Sequence, residues 1–242
     1  MDGQRPTLLR HSGGVRLAHL VFAAVIGWLI LSGLGLHESL SPRVIHVLGG
    51  HVLLADSHRW LGYALGAALL LALVFLWQRV RGFLGAIVSF KRSDMAWLPG
   101  LVRSFVRPRA DALPWHAGRF DPAQRLVFVI LISSLVLLIV TGVAINFIPV
   151  RSARMVFAWT LRTHLGSAWV FIAAASVHVF AGLGVLPTHR GVTRAMFGDG
   201  QVKLELSRRL WPGWTDRQLA ETANAPLDPT LTTTDEAPIK KS

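Results

Sequence analysis

The chain has 242 residues, of which 52% are hydrophobic and only 16% are charged. This composition excludes an ordinary soluble domain and predicts bilayer-spanning segments. The formal charge of +12 does not indicate a nucleic-acid partner, because the basic residues follow the segment boundaries instead of forming one patch. Cysteine is absent, which excludes disulfides, cysteine-bound metal clusters and thioether-linked prosthetic groups within the chain.

Four apolar runs of about bilayer length follow one another along the chain. They cover 17–36, 58–77, 126–147 and 164–185, and each is close to the ~20 helical residues that cross ~30 Å of hydrocarbon. Backbone groups in lipid must be satisfied within their own segment, so we expect helices. The sequence therefore predicts an all-α integral membrane protein whose four-transmembrane-helix bundle spans residues 17–185.

The first run follows Arg10 and Arg16, as the apolar part of a secretory signal would. It is longer than such a segment, and no small-residue cleavage motif follows it. We therefore expect a span of the bundle here, with a retained signal anchor as the alternative.

The connecting segments are an N-terminal arm (1–16), an inner loop (78–125), an interfacial segment (186–223) and a disordered tail (224–242). Within the inner loop, Asp94–Val106 is predicted to form a short helix at the membrane surface. Trp97 in this helix and the later Trp115 suit headgroup depth. Val192–Leu210, which carries Arg194, Lys203, Arg208 and Arg209, is predicted to be another interfacial segment.

Charge gives the predicted orientation of these helices. With four spans both termini lie on one side, and that side carries twenty of the 25 Lys and Arg residues. Short loops rich in Lys and Arg remain in the cytoplasm. We therefore predict a bacterial inner-membrane protein with both termini in the cytoplasm and with interfacial helices on that side. Contact of the basic residues with anionic lipid is a secondary interpretation of the same charge.

Four of the ten histidines lie in or at the edges of the predicted spans. An ionisable group there is costly and is a functional hypothesis by default. Counting residues at 1.5 Å each places His19 about one turn inside the cytoplasmic boundary, whereas His58 and His164 open the second and fourth spans at the outer boundary. His178 follows His164 by fourteen residues, or about 21 Å, which puts it near the level of His19.

These depths sort the histidines into an outer pair, His58 and His164, and an inner pair, His19 and His178. Fourteen residues are nearly four helical turns, so the two fourth-span histidines share one face. Neutral imidazole is an axial ligand of haem iron, and a haem between helices takes one histidine from each side. The pattern predicts two haems. The alternatives are interfacial histidines satisfied by carbonyls or headgroups, and zinc, which prefers four clustered ligands.

Several short stretches extend the histidine pattern: R-x-x-H at Arg16–His19, H-x-x-x-G at His58–Gly62, His164 and His178 with thirteen residues between them, Asp94–Leu98 in the inner loop, and Thr141–Val143 in the third span. With these residues the chain, over about 10–220, resembles the cytochrome b (gamma) subunit of membrane-bound respiratory formate dehydrogenases. That subunit is related to the cytochrome b of nickel–iron hydrogenases.

The resemblance implies an electron path. The outer haem b would receive electrons from the periplasmic iron–sulfur and molybdenum or tungsten catalytic subunits of a formate dehydrogenase. The inner haem b would pass them to a quinone substrate near the cytoplasmic face, beside His178 and Phe120–Arg125. In that stretch Asp121 replaces an Asn and Ala123 a Gly of the family pattern, and Asp121 and Gln124 are the expected quinone or proton contacts. Asp121 is alternatively the N-cap of the third helix.

Four arginines near the span ends are candidate partners of haem propionates or, alternatively, anchors to lipid: Arg16, Arg59, Arg119 and Arg125. The predicted function is electron transfer from a periplasmic formate dehydrogenase to membrane quinone. The same module serving a hydrogenase or another periplasmic oxidoreductase is one alternative. A haem-free membrane anchor or transporter is an alternative of a different class, although the charged midplane residues and broken helices typical of transporters are not evident here.

Overall fold

The computed structural model describes residues 6–92, 94, 95, 97, 99, 100, 113 and 115–224. In chain order the elements are β1 (Thr7–Leu9), α1 (Gly13–Leu36), α2 (Pro42–Val47), α3 (Gly50–Phe75), α4 (Trp77–Val88), α5 (Pro122–Phe147), α6 (Arg154–Gly182), a 3-10 turn (Pro187–His189), α7 (Thr193–Phe197), β2 (Gln201–Lys203), α8 (Leu204–Leu210) and α9 (Pro212–Ala223).

Four of these helices, α1, α3, α5 and α6, are long and apolar enough to cross a membrane. Within the bundle α1 packs on α3 and α5 packs on α6, while contacts between α3 and α5 join the two halves. The bundle leaves large apolar side chains exposed, such as Val74 at 70% and Phe147 at 76%. Exposed apolar surface of this extent is typical of helices that face lipid. The predicted all-α membrane bundle is confirmed.

Two of the spanning helices begin earlier than the apolar runs predict. α3 begins at Gly50 and α6 at Arg154, so His58 and His164 lie eight and ten residues inside their helices and do not open them. The prediction was wrong because hydropathy marks the apolar part of a helix, whereas the backbone continues through polar residues. A sharp turn at Gly49, with φ +96°, precedes α3; this left-handed conformation favours glycine.

The second apolar run also ends differently from its prediction. α3 ends at Phe75, Leu76 breaks the helix, and α4 continues into the inner loop. The helix predicted over Asp94–Val106 falls mostly on residues outside the described set, although Asp94, Met95 and Trp97 are helical.

The segment after the fourth span folds on the N-terminal arm. β1 and β2 pair antiparallel, with Leu8 opposite Val202, an element that the all-α prediction lacks. The continuous interfacial stretch predicted over Val192–Leu210 is divided into α7, β2 and α8, with Gly198 at the C-cap of α7 and Gly200 at φ +87° before β2. Ala195, Val202, Leu206 and Leu210 of this stretch form one buried cluster with Trp211 and Trp214. We call residues 6–11, 115–121 and 187–224 the cap. The tail predicted as disordered lies outside the described residues from 225 onward.

Candidate functional site: two histidine pairs in the bundle

The structure brings the four span histidines together as two pairs. The ring centres of His58 and His164 are 6.3 Å apart, and those of His19 and His178 are 6.2 Å apart. All four rings are partly buried. Because α6 supplies one member of each pair, the fourteen residues between His164 and His178 separate the two pairs by about 21 Å along that helix.

In the outer pair, each histidine contacts a hydroxyl group on the helix that packs beside its own. Nδ1 of His58, on α3, lies 2.9 Å from Oγ of Ser32 on α1. Nδ1 of His164, on α6, lies 3.0 Å from Oγ1 of Thr141 on α5. Ser32 is fully buried and Thr141 nearly so. The same contact therefore occurs once in each half of the bundle.

A glycine beside each hydroxyl residue lets the histidine ring approach the neighbouring helix. A Cβ atom on Gly33 would stand 3.3 Å from Cε1 of His58, and one on Gly142 would stand 3.2 Å from Cε1 of His164. Both distances are tighter than most side-chain contacts, so an alanine at either position would push against the ring. The dipeptides Ser32–Gly33 and Thr141–Gly142 thus hold the outer pair from both sides.

The inner pair has aromatic neighbours in place of hydroxyl groups. The ring of Phe128 lies 5.7 Å from that of His178, and the ring of Phe197 lies 6.5 Å from that of His19. Nδ1 of His19 is buried without a hydrogen-bond partner among the described residues. The inner pair therefore lies in an apolar setting, with Phe197 contributed by the cap and Phe128 by α5.

Both pairs have the spacing that two axial imidazoles need. A ring nitrogen binds a first-row transition metal at roughly 2 Å, and the ring centre lies roughly 1 Å behind it, so two rings that face one ion have centres roughly 6 Å apart. Among the described residues, no group of three or more His, Asp or Glu side chains is placed to hold a metal ion. The donor sets are thus pairs of imidazoles, which suits haem iron. A buried Nε of Arg16, also without a described partner, fits an anionic group near His19.

Asp121 and Gln124 begin α5 as a capping box. Oδ1 of Asp121 accepts a hydrogen bond from N of Gln124 at 2.9 Å, and Oε1 of Gln124 accepts one from N of Asp121 at 3.3 Å. Trp211 of the cap also donates its indole N–H to Oε1 of Gln124, at 2.9 Å. Asp121 is therefore the N-cap, and Gln124 ties α5 to the cap.

The second oxygen of Asp121 has no such partner. Oδ2 is buried without a hydrogen bond among the described residues, and burial raises the pKa of Asp121 to about 6. Phe120, the residue before Asp121, contacts Phe128 with ring centres 5.2 Å apart, and Phe128 contacts His178. Asp121 thus lies beside the first of a series of aromatic contacts that leads to the inner pair.

The four arginines predicted near haem propionates have different surroundings. Arg125 is buried and pairs with Asp94 at 2.9 Å, while its Nη1 donates to the carbonyl of Ser89 at 2.5 Å. Arg59 is exposed and pairs with Asp56 at 2.5 Å. Arg119 is exposed, with its guanidinium 5.7 Å from the Phe120 ring. Arg16 lies three residues before His19 on α1 and has a buried Nε without a described hydrogen-bond partner.

Sequence reasoning missed three residues of this region. Ser32 was not singled out, because a single serine in an apolar run is typical of helix packing. Thr141 was noted only within a family-like stretch. Arg10 was counted only as a charge, but it is buried between Trp211 and Trp214, with its guanidinium carbon 4.0 and 4.3 Å from their ring centres. The sequence offered a signal for Ser32 and Thr141 only: each lies one turn or more from the end of the bundle and is followed by a glycine. It offered none for Arg10.

Comparison with known proteins is consistent with this arrangement. The formate dehydrogenase cytochrome b556(fdo) subunits of Escherichia coli strains K12, O6:H1 and O157:H7 are each 25% identical to this chain over 214 residues, which cover 87% of this chain and 93% of each relative. Residues 10–199, which include both histidine pairs, match the family described as prokaryotic cytochrome b561. The family implies haem b as the cofactor. This four-helix membrane protein therefore belongs to the prokaryotic cytochrome b561 family.

Proposed function

We propose that this chain is the di-haem cytochrome b subunit of a formate dehydrogenase-like complex and transfers electrons through the membrane to a quinone. The observation that supports it most strongly is the pair of imidazole pairs, each with ring centres about 6 Å apart and both anchored on α6. Bound haem iron supplies one-electron chemistry that no side chain of this chain offers. His58 and His164 hold the first haem, and His19 and His178 hold the second.

The distribution of basic residues supports a direction for the electron transfer. The excess of Lys and Arg at the end that carries both termini supports a cytoplasmic position for the inner pair. The outer pair then faces the periplasm, where iron–sulfur and catalytic subunits would dock. The relatives' name supports formate as the electron source; a hydrogenase or another periplasmic oxidoreductase is the alternative partner.

Asp121 supplies protons at the quinone end. Reduction of a quinone to a quinol consumes two electrons and two protons. A buried carboxyl group whose pKa is about 6 is partly protonated near neutral pH and can donate its proton and then take another from the cytoplasmic side. Arg16, with its buried Nε free of described partners, holds the anionic edge of the inner haem. Gln124 positions Asp121 through the capping box.

Optical spectroscopy of the purified protein tests the haem assignment. The dithionite-reduced spectrum should show a bis-histidine b-type signal, and pyridine haemochrome titration should give two haems per chain. His164→Ala should remove the outer haem and His178→Ala the inner one, whereas His46→Ala, an exposed histidine of α2, should keep both. An unaltered spectrum in the first two variants would refute the assignment, and a wild-type protein without haem would favour the anchor or transporter reading.

Two further measurements test direction and partner. Subunits that co-purify with the chain should include an iron–sulfur protein and a formate-oxidising catalytic protein. Quinone reduction by the complex should slow in Asp121→Ala, with a pH profile that loses a titration near 6. A hydrogen-oxidising partner would replace formate in the proposal and leave the haem path intact.

A further inference from the structure

Both histidines of the outer pair make the same contact, with a buried hydroxyl group on the adjacent helix. We propose that Ser32 and Thr141 are positioning residues that fix the hydrogen on Nδ1 of His58 and His164, so that Nε2 of each ring is the iron ligand. This inference rests on the proposed haem function and deepens it, because it assigns the ligating atom and an influence on the redox potential of the outer haem.

The hydroxyl hydrogen of Ser32 already takes part in a hydrogen bond within α1. Oγ of Ser32 donates to the carbonyl of Trp28 at 2.7 Å, with the carbonyl of Leu29 a second acceptor at 3.2 Å. A hydroxyl group carries one hydrogen and two lone pairs, so Ser32 can only accept from the imidazole. The contact of 2.9 Å with His58 therefore requires an N–H at Nδ1, which leaves the lone pair of the neutral ring at Nε2.

Thr141 repeats this arrangement in the other half of the bundle. Its Oγ1 donates to the carbonyl of Leu137 at 2.5 Å, with that of Leu138 at 3.4 Å, and so accepts from Nδ1 of His164 at 3.0 Å. Back-bonding of a serine or threonine to the carbonyl four residues earlier is ordinary in a helix interior. Among the described residues, a back-bonded hydroxyl group that also contacts a histidine, beside a glycine, is found only at the outer pair.

The hydrogen bond at Nδ1 also changes the basicity of Nε2, the ligating nitrogen. An imidazole that donates its second N–H to an acceptor becomes a stronger base at the ligating nitrogen, and outer hydrogen bonds of this kind orient the ring. A stronger donor stabilises ferric iron more than ferrous iron. The two hydroxyl groups should therefore lower the midpoint potential of the outer haem, which favours electron transfer from the outer to the inner pair, where neither hydroxyl contact is found among the described residues.

Potentiometric titration of the purified chain, followed at the haem absorbance, tests this inference. Thr141→Val, which keeps the shape of the side chain, and Ser32→Ala should each raise one of the two midpoint potentials, while both haems remain bound. We expect the ratio of oxidised to reduced outer haem at a fixed potential to change by roughly threefold to tenfold, equal to roughly 30–60 mV for a one-electron couple. The potential of the inner haem should not move.

Ser134→Ala is the matched control. Ser134 is also buried on α5 and also donates to the carbonyl four residues earlier, Ile130, at 2.6 Å, but its described hydrogen bonds are all within its own helix. This variant should leave both potentials unchanged. Thr141→Ser, which keeps the hydroxyl group, should restore the wild-type potential and guards against a Thr141→Val variant that fails to assemble.

The outcomes separate this inference from the proposed function. Two bound haems with unmoved potentials in Thr141→Val and Ser32→Ala would overturn the positioning role and leave the cytochrome assignment standing. An equal shift in Ser134→Ala, or a Thr141→Ser variant that behaves like Thr141→Val, would also overturn it. Absence of haem from the wild-type chain would instead refute the function on which it rests.

Discussion

The two histidine pairs are held by different means. Each ring of the outer pair is held by a hydroxyl group and a glycine on the adjacent spanning helix, so its support lies inside the bundle. The inner pair is surrounded by aromatic rings, one of them from the cap. The outer pair therefore depends on helix packing within the membrane. The inner pair depends in addition on a contact from the cap, which is built from distant segments of the chain.

Several polar contacts join the cap to itself and to the inner loop. Arg10 is enclosed by Trp211 and Trp214 and donates to the carbonyl of Arg119 at 2.7 Å. His116 contacts the carbonyl of Leu210 at 2.8 Å, which joins the inner loop to α8. These bonds connect positions about a hundred residues apart in sequence. Damage to the cap should disturb the inner pair and spare the outer pair.

The largest expected effect comes from the buried ion pair of Asp94 and Arg125, whose side chains are 9% and 4% exposed. Asp94→Ala removes one partner and leaves a buried, uncompensated guanidinium, which typically costs about 3–5 kcal/mol. We expect a loss of that size in the free energy of unfolding, measured by denaturant titration in detergent. The inner-haem spectrum should change and the outer-haem spectrum should not, because Arg125 lies one turn before Phe128, whose ring contacts His178.

Asp94→Asn is the control, because it keeps the shape and one hydrogen-bond acceptor while removing the charge. It should lose less than Asp94→Ala. The comparison between the two pairs would fail if Asp94→Ala disturbed the outer-haem spectrum as strongly as the inner one.

A smaller effect is expected at Arg10. Burial lowers the pKa of Arg10 to about 9, so its desolvation cost offsets part of what the two indole rings contribute. A desolvated cation over an aromatic ring is stabilised by up to about 2 kcal/mol, and we expect Arg10→Ala to lower the free energy of unfolding by about 2 kcal/mol. Tryptophan fluorescence during unfolding reports this, since the guanidinium contacts both rings.

Arg10→Lys separates charge from shape. Lysine keeps the charge but lacks the planar guanidinium that contacts the two perpendicular rings, so the free energy of unfolding of Arg10→Lys should lie between those of the wild type and Arg10→Ala. If Arg10→Lys had the same free energy of unfolding as the wild type, the charge of Arg10 alone would account for its contribution to stability.

The third prediction concerns the N-cap of α5. Asp121→Ala removes the acceptor for N of Gln124 and should cost about 1 kcal/mol of stability; Asp121→Asn keeps an acceptor and should cost less. The measurement is the same denaturant titration, carried out at pH 7. If Asp121→Asn lost as much as Asp121→Ala, the capping hydrogen bond would not be the cause.

The pH dependence of stability isolates the charge of Asp121. Burial raises its pKa from 3.8 to about 6, so the folded protein binds this proton more tightly than the unfolded chain does. Its contribution is fully present at pH values below about 4 and is lost as pH rises to about 6, above which stability should be constant. Asp121→Asn should abolish that slope. A slope that persists in Asp121→Asn would assign the titration to another group.

The sequence predicts the features that depend on local patterns and misses those that depend on contacts between distant segments. The four spans and the common helix face of His164 and His178 follow from hydropathy and a period of 3.6, both of which are local. The early starts of α3 and α6 were missed because polar residues such as His51 and Asp56 hide the helix from a hydropathy count. The cap was missed because the fit of Arg10 between two indoles depends on contacts between opposite ends of the chain, and these have no local signature.

The smallest effect is expected at the outer end, where the ion pair of Asp56 and Arg59 is exposed, with side chains 51% and 45% accessible. Such a pair contributes less than about 1 kcal/mol, so Asp56→Ala should barely change the free energy of unfolding or the outer-haem potential. Arg59→Ala should behave identically if Arg59 serves only this pair. If Arg59→Ala shifted the outer potential and Asp56→Ala did not, Arg59 would instead hold a haem propionate, and the outer pair too would depend on a charge at the end of the bundle.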